Sequence, residues 1–124
     1  SFTILHDVEF TVEANPGTID EEKLASFVSL GVNRLSIGLQ TIHENELKIL
    51  GRIHSFADFE KAYLSARRAG IKNINVDLMY GIPEQTMVSF EMTLRKIIAL
   101  TIIEIFSISK AVFKILFLKI RIFF

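Results

Sequence analysis

Apolar and polar residues along the first hundred positions follow a pattern that predicts strands separated by helices. Short apolar runs rich in β-branched residues, each followed by a turn or helix start, predict buried strands at residues 8–13, 34–39 and 73–79. Between and after these runs, apolar residues recur at the three- and four-residue spacing that is typical of helices. Strands that alternate with helices of about 10 to 15 residues favour βαβ units. The sequence therefore predicts an α/β fold with a parallel sheet.

Capping residues predict where the helices begin. Asp20 and Ser55 each precede an amphipathic stretch, and both are expected to be N-caps. Either Thr41 or His43 is expected to open a short helix between these two. A fourth helix is expected over about residues 87–100. Each predicted strand is thus followed by at least one helix.

Residues 101–124 differ in kind from the residues before them. The segment is rich in isoleucine and phenylalanine, contains no glycine or proline, and carries Glu104 and scattered cations. Interior charge argues against a transmembrane helix. An amphipathic surface helix is an alternative prediction, although the apolar residues do not keep to one face. A β-rich, aggregation-prone end is the simpler prediction.

Composition narrows the classes of function. The chain has 124 residues and is 50% hydrophobic, which is enough for a core, but a complete β/α barrel needs about 200 to 250 residues. Lysine plus arginine equals aspartate plus glutamate at 14 each, so no net field would recruit nucleic acid or an anionic membrane. The absence of cysteine excludes disulfides and thiolate-bound clusters on this stretch of chain. No secretory signal precedes the first strand, and a cytoplasmic setting is expected.

Each predicted strand supplies one polar side chain at or near its C-terminal end. Glu13 ends the first strand, Gln40 follows the second, and Asp77 lies near the end of the third. Active sites of parallel β/α barrels lie at this end of the strands, and a polar group next to an apolar run is costly unless it is hydrogen-bonded. We therefore expect a ligand with several hydroxyl and amine donors. The alternative that each residue caps a neighbouring turn stays open.

Arg52 is a fourth candidate, in the connection between helices that follows the second strand. Its planar guanidinium suits bidentate pairing with a carboxylate such as that of a methionyl group, although a solvated surface charge is the alternative. His6, His43 and His54 are not spaced as a metal set and are expected to be surface or packing residues. Residues 84–86 are expected either to cap a helix or to face a substrate.

Four sequence blocks stand in order along the chain: EANPGT at 13–18, NRLSIGLQ at 33–40, LGRIH at 50–54 and NVDLMYGIPEQT at 75–86. Together they resemble the radical S-adenosylmethionine (SAM) family that contains oxygen-independent coproporphyrinogen III oxidase and the related heme chaperone. The resemblance covers roughly residues 8–100 and implies part of a radical-SAM-type partial TIM barrel. Residues 1–100 would be the central part of that barrel domain. Residues 101–124 would be an atypical apolar and basic tail, truncated or out of frame.

The resemblance also implies a set of cofactor-binding residues. In the family, residues at the positions of Glu13, Gln40, Arg52 and Asp77 contact S-adenosylmethionine. Glu13 and Asp77 are then expected to accept hydrogen bonds from the ribose hydroxyls or the amino group. Gln40 is expected to form a bridging contact, and Arg52 is expected to bind the methionyl carboxylate. The family binds a [4Fe–4S] cluster on a C-x-x-x-C-x-x-C run that is missing here, as is a glycine-rich stretch before Glu13. No catalytic or metal-binding residue is assigned.

The function implied is that of a fragment of a radical SAM protein in heme and porphyrin biosynthesis, with heme or a porphyrinogen as its partner. The ANPG and GRIH runs resemble the heme-chaperone branch more than the oxidase. Whether the chain is an enzyme stays open, because the family includes an oxidoreductase while the cluster ligands are absent from this stretch. The alternatives are a catalytically inactive α/β fragment and another β/α-barrel lyase or aldolase.

Overall fold

The computed structural model describes residues 8–107 and 115–122, with side chains described over residues 8–101. In chain order the elements are β1 (Thr11–Ala14), a short 3-10 helix (Pro16–Thr18), α1 (Glu21–Ser29), β2 (Arg34–Gln40), α2 (Glu44–Ile49), α3 (Phe56–Arg68), β3 (Asn73–Tyr80), α4 (Met87–Ser107) and β4 (Ile115–Ile122). His6 and residues 108–114 and 123–124 of the tail lie outside the described residues. Within the described part, no helix combines the length and the apolar character needed to cross a membrane.

The strands of the described residues form one parallel sheet in the order β1-β2-β3-β4. The α/β fold with a parallel sheet that the sequence predicts is therefore confirmed. Because all these strands run in the same direction, their C-terminal ends meet at one edge of the sheet. The polar residues predicted at the strand ends are thus brought to a common edge.

The two faces of the sheet differ sharply in polarity. One face carries the fully buried side chains of Leu35, Ile37, Leu39, Ile74, Val76 and Leu78. These residues pack against the helices in a single apolar core, to which α3 contributes Phe59, Tyr63 and Ala66. Because side chains alternate between faces along a strand, the other face carries the intervening residues, and most of these are polar. Barrel interiors are usually filled by branched apolar side chains, so a polar face indicates a surface that meets a ligand.

The N-caps of α1 and α3 are confirmed. Asp20 accepts a hydrogen bond from the backbone N–H of Lys23 at 2.8 Å. Ser55 Oγ accepts from the Asp58 backbone N–H at 3.2 Å, and Asp58 Oδ2 accepts from the Ser55 backbone N–H at 2.8 Å, which closes a capping box. The backbone and hydroxyl hydrogen bonds from Ser55 hold the pKa of Asp58 below its ordinary value.

The first strand begins later than predicted. β1 starts at Thr11, whereas the sequence predicts a strand over residues 8–13. The Asn33 side chain explains the difference: its Oδ1 accepts from the Phe10 backbone N–H and its Nδ2 donates to the Val8 carbonyl, both at 2.8 Å. The Asn33 side chain thus bonds to backbone groups of Val8 and Phe10 that a longer β1 would have used for strand pairing.

The fourth helix continues beyond its predicted end at Leu100. α4 extends to Ser107 because residues 101–107 contain no glycine or proline to stop it. The isoleucine-rich tail then forms β4, which pairs in parallel with β3 over the whole length of that strand. The helix therefore crosses residue 100, and the division of the chain into residues 1–100 and 101–124 stays a prediction.

Candidate functional site

One polar cavity brings together all four residues that the sequence predicts to bind a cofactor. It has a volume of about 240 Å³ and is lined by Glu13, Ala14, Asn15, Ser36, Gly38, Gln40, Arg52 and Asp77. These residues come from β1 and the turn that follows it, from β2 and β3, and from the connection between α2 and α3. Separate segments of the chain therefore converge on a single site, which we call the strand-end cavity.

Strand register sets the floor of the strand-end cavity. Glu13 is paired with Ser36, and Ser36 is paired in turn with Asn75, so these residues form a row across β1, β2 and β3. Two residues further along, Gly38 is paired with Asp77. Neighbouring strands lie about 4.8 Å apart, so one small ligand can reach side chains of all these strands.

A buried hydrogen-bond network orients Asp77. The residue is 6% exposed. Its Oδ1 accepts from Asn75 Nδ2 at 2.8 Å, and the same Asn75 amide donates to Ser36 Oγ at 2.9 Å. The sequence predictions omit Asn75 and Ser36. The signal that could have found them is the polar residue at every second position of β3 and β2, opposite the apolar face.

Gln40 has a left-handed backbone at the end of β2. Its φ is +72°, and the Thr41 backbone N–H donates to the Leu39 carbonyl at 3.0 Å, so Gln40 is the central residue of a γ-turn. The pairing between β2 and β3 shifts at the same point. Left-handed backbone costs a non-glycine residue about 1–3 kcal/mol and is found preferentially at ligand sites.

Gly38 leaves the space in which the Gln40 side chain lies. A Cβ atom at position 38 would be 2.9 Å from Gln40 Nε2, which is closer than real contacts allow. Gln40 is 4% exposed, and its Oε1 has no hydrogen-bond partner among the described residues. A buried acceptor without a partner that lines a cavity is positioned to accept from a ligand.

Glu13, Asp77 and Arg52 provide the ionic groups that line the strand-end cavity. Glu13 is exposed and Arg52 is partly buried. The chain reaches Arg52 through Gly51, whose φ of +69° ends the α2 region, and the Arg52 backbone N–H donates to the Leu47 carbonyl at 2.9 Å. Carboxylates and a guanidinium around one cavity suit a zwitterionic ligand.

A second buried network surrounds Glu46 of α2, which is 1% exposed. Thr41 Oγ1 donates to Glu46 Oε2 at 2.5 Å, Ser89 Oγ donates to Oε1 at 2.7 Å, and Gln85 Nε2 lies 3.5 Å from Oε2. His43 is the N-cap of α2, and its backbone N–H donates to Thr41 Oγ1 at 3.2 Å. This Glu46 network joins the end of β2, α2 and the start of α4.

The loop between β3 and α4 is held by its own side chains. Gln85 Oε1 accepts from the Gly81 backbone N–H at 2.8 Å, and Gln85 Nε2 donates to the Met79 carbonyl at 3.2 Å. Thr86 Oγ1 accepts from the Ser89 backbone N–H at 3.0 Å, as a capping residue does. Of the two alternatives for residues 84–86, the contacts of Gln85 and Thr86 favour helix capping and loop closure.

A larger cavity, of about 600 Å³, lies between α1 and α3. Its lining includes Leu24 and Val28, and its ionic pair, Glu21 and Arg68, is 3.8 Å apart on the surface. The cavity lies in the helical layer, away from the strand ends, and no residue predicted to bind a cofactor lines it. The strand-end cavity is therefore the candidate functional site.

The described histidines have hydrogen-bonding roles. His43 Nε2 bonds to the Ser89 carbonyl at 2.9 Å, and His54 Nε2 bonds to the Leu39 carbonyl at 3.0 Å. In the part of the chain that the structure describes, no group of three or more histidine or acidic side chains could hold a metal ion.

Comparison with known proteins identifies the family. Residues 3–97 match the family described as the Radical SAM superfamily. The chain belongs to this family. The family predicted from the four sequence blocks is thus confirmed, and the strand-end cavity is a feature of a radical SAM domain.

Several relatives of this radical SAM chain are heme-related proteins. The heme chaperone HemW of Haemophilus influenzae is 43% identical over 81 residues, which is 65% of this chain and 21% of that protein. The oxygen-independent coproporphyrinogen III oxidase of Paracoccus denitrificans is 35% identical over 101 residues, or 82% of this chain and 22% of that protein. The chain thus spans about a fifth of the length of these curated relatives.

A solved radical SAM structure has the same fold. Coproporphyrinogen III oxidase (HemN) from Escherichia coli superimposes with a TM-score of 0.70 at 32% sequence identity, over 76% of this chain and 22% of that one. The partial-barrel fold expected from the sequence is therefore confirmed.

Proposed function

We propose that this chain forms one side of an S-adenosylmethionine site in a radical SAM protein of heme metabolism. The observation that carries the proposal is the convergence of Glu13, Gln40, Arg52 and Asp77 on the strand-end cavity. The cavity lies where ligands bind in parallel β/α folds, at the C-terminal ends of the strands.

The residues of the strand-end cavity fit the chemistry of S-adenosylmethionine. Its methionyl end is a zwitterion, and its ribose carries hydroxyl donors. Arg52 would pair with the carboxylate, for which a guanidinium is well suited. Glu13 and Asp77 would accept from the ammonium group or the ribose hydroxyls, and Gln40 would use the carboxamide oxygen that has no partner among the described residues. When bound, the cofactor supplies radical chemistry, and these residues hold and orient it.

The size of the strand-end cavity supports the proposal that this chain forms only part of the cofactor site. Its volume of about 240 Å³ is below the roughly 300–1,000 Å³ of complete small-molecule sites. A ligand as large as S-adenosylmethionine therefore needs walls from other segments as well. Partial coverage of the relatives, about a fifth of their length, supports the same conclusion.

The iron–sulfur cluster does not fit the residues of this chain. Its ligands are cysteine thiolates, and the 124 residues contain no cysteine. No step through a cluster is therefore assigned to these residues. For the chain by itself we propose cofactor binding without catalysis, which agrees with the alternative of an inactive α/β fragment.

We assign the chain to the heme-chaperone branch, with heme as its partner. The support is the identity of 43% to the Haemophilus heme chaperone, against 35% to the Paracoccus oxidase. The ANPG and GRIH runs favour the same branch. The cytoplasmic setting expected from the sequence stays a prediction.

Titration of the ¹⁵N-labelled chain with S-adenosylmethionine tests the cofactor proposal. We expect the backbone amide signals of Gly38, Gln40 and Asp77 to shift, because these residues line the strand-end cavity. The signals of Ala25 and Ala69, which line the larger cavity between α1 and α3, should stay in place. Shifts confined to Ala25 and Ala69 would exclude the strand-end cavity as the site.

A competition experiment tests the assignment to the heme-chaperone branch. Addition of hemin to the chain should give a saturable shift of the Soret band, with coproporphyrin III binding about tenfold more weakly, a difference of about 1.4 kcal/mol. Tighter binding of coproporphyrin III than of hemin would favour the oxidase branch instead. Bovine serum albumin measured in parallel sets the level of non-specific hemin binding.

A further inference from the structure

The carbonyl oxygen of Leu39 receives two hydrogen bonds at the end of β2. One comes from the Thr41 backbone N–H at 3.0 Å and closes the γ-turn around Gln40. The other comes from His54 Nε2, also at 3.0 Å, across a separation of 15 residues. The imidazole therefore contacts the strained turn that places the Gln40 side chain in the strand-end cavity.

This contact fixes the role of His54 Nε2 as a hydrogen-bond donor. A carbonyl oxygen can only accept, so Nε2 carries the hydrogen of this bond. His54 is 5% exposed, and its Nδ1 has no partner among the described residues. The hydrogen bond to Leu39 is thus the contact that explains why a polar ring is buried here.

We propose that His54 is a positioning residue for the cofactor site and acts through Gln40. This inference rests on the proposed function of Gln40 in binding S-adenosylmethionine. A left-handed turn at a non-glycine residue persists only where surrounding groups hold it. Two donors on one carbonyl oxygen hold the Leu39–Thr41 turn, and Gly38 leaves room for the carboxamide that the turn presents.

Amide hydrogen exchange of Thr41 tests the inference without any ligand. His54→Leu keeps a similar volume and removes the donor, whereas His54→Gln keeps an N–H group of comparable reach. We expect Thr41 to exchange about tenfold faster in His54→Leu than in the unchanged chain and to recover in His54→Gln. Val76, at the centre of β3, is the control and should keep its exchange rate. Equal Thr41 exchange in both variants and the unchanged chain would overturn the inference.

A double-mutant cycle on S-adenosylmethionine affinity, measured by calorimetry, tests whether His54 acts through Gln40. His54→Leu should weaken binding about tenfold, and Gln40→Ala should weaken it by a similar factor. The double variant should lose little more than Gln40→Ala alone, because the effect passes through that side chain. If the loss of affinity in the double variant equals the product of the two single losses, the inference is overturned.

The same measurements separate this inference from the proposed function. If Gln40→Ala leaves S-adenosylmethionine affinity unchanged, the proposed role of Gln40 fails, while Thr41 exchange still decides whether His54 holds the turn. If His54→Leu does not fold, His54→Asn replaces it. The asparagine amide is polar but too short to donate to the Leu39 carbonyl, so the expected results are the same.

Discussion

Replacement of Glu46 by alanine is expected to lower the free energy of unfolding by about 3 kcal/mol. Thr41 and Ser89 donate to this buried carboxylate, and the substitution would remove both charge-assisted hydrogen bonds and leave an empty space. Hydrogen bonds to charged groups contribute about 1.5–3 kcal/mol each. The Glu46 network also joins β2 to α4, so its loss would loosen elements far apart in the chain.

Glu44 provides a matched control for the Glu46 experiment. It lies on the same helix, is exposed, and its replacement by alanine should change stability by less than about 0.5 kcal/mol. Glu46→Gln keeps the shape and one acceptor oxygen, and its cost should be about 1 kcal/mol. Urea denaturation followed by circular dichroism measures all the variants. A loss below about 1 kcal/mol in Glu46→Ala would contradict the importance of the network.

Local rules account for the features that the sequence could predict. Asp20 and Ser55 cap their helices through contacts with residues three positions away, so the sequence alone reveals them. The convergence of Glu13, Gln40 and Asp77 follows from topology, because parallel strands bring their C-terminal ends to one edge. Placement at a common edge needs no knowledge of side-chain packing.

Contacts between distant residues account for the features that the sequence could not predict. The late start of β1 depends on the side chain of Asn33, which follows α1. The buried role of His54 depends on the Leu39 carbonyl, and the Glu46 network depends on Ser89, which is 43 residues away. No periodicity or spacing rule encodes such pairs, because they form only when the core positions the elements.

Arg52 gives the second large expected effect: its replacement by alanine should weaken S-adenosylmethionine binding by roughly 30-fold. The guanidinium would pair with the methionyl carboxylate, and removal of one partner of a hydrogen-bonded charge pair costs about 2–5 kcal/mol. Arg52 is only partly buried, so the lower end of this range applies, and about 2 kcal/mol corresponds to roughly 30-fold. Arg52→Lys keeps the charge but loses the bidentate fork, and an intermediate loss is expected.

Arg95 is the matched control for Arg52. It is exposed on α4, where it forms an ion pair with Glu91 at 2.6 Å, and it does not line the strand-end cavity. Calorimetric titration with S-adenosylmethionine should give the same affinity for Arg95→Ala as for the unchanged chain. If Arg52→Ala binds as tightly as Arg95→Ala, Arg52 does not hold the carboxylate.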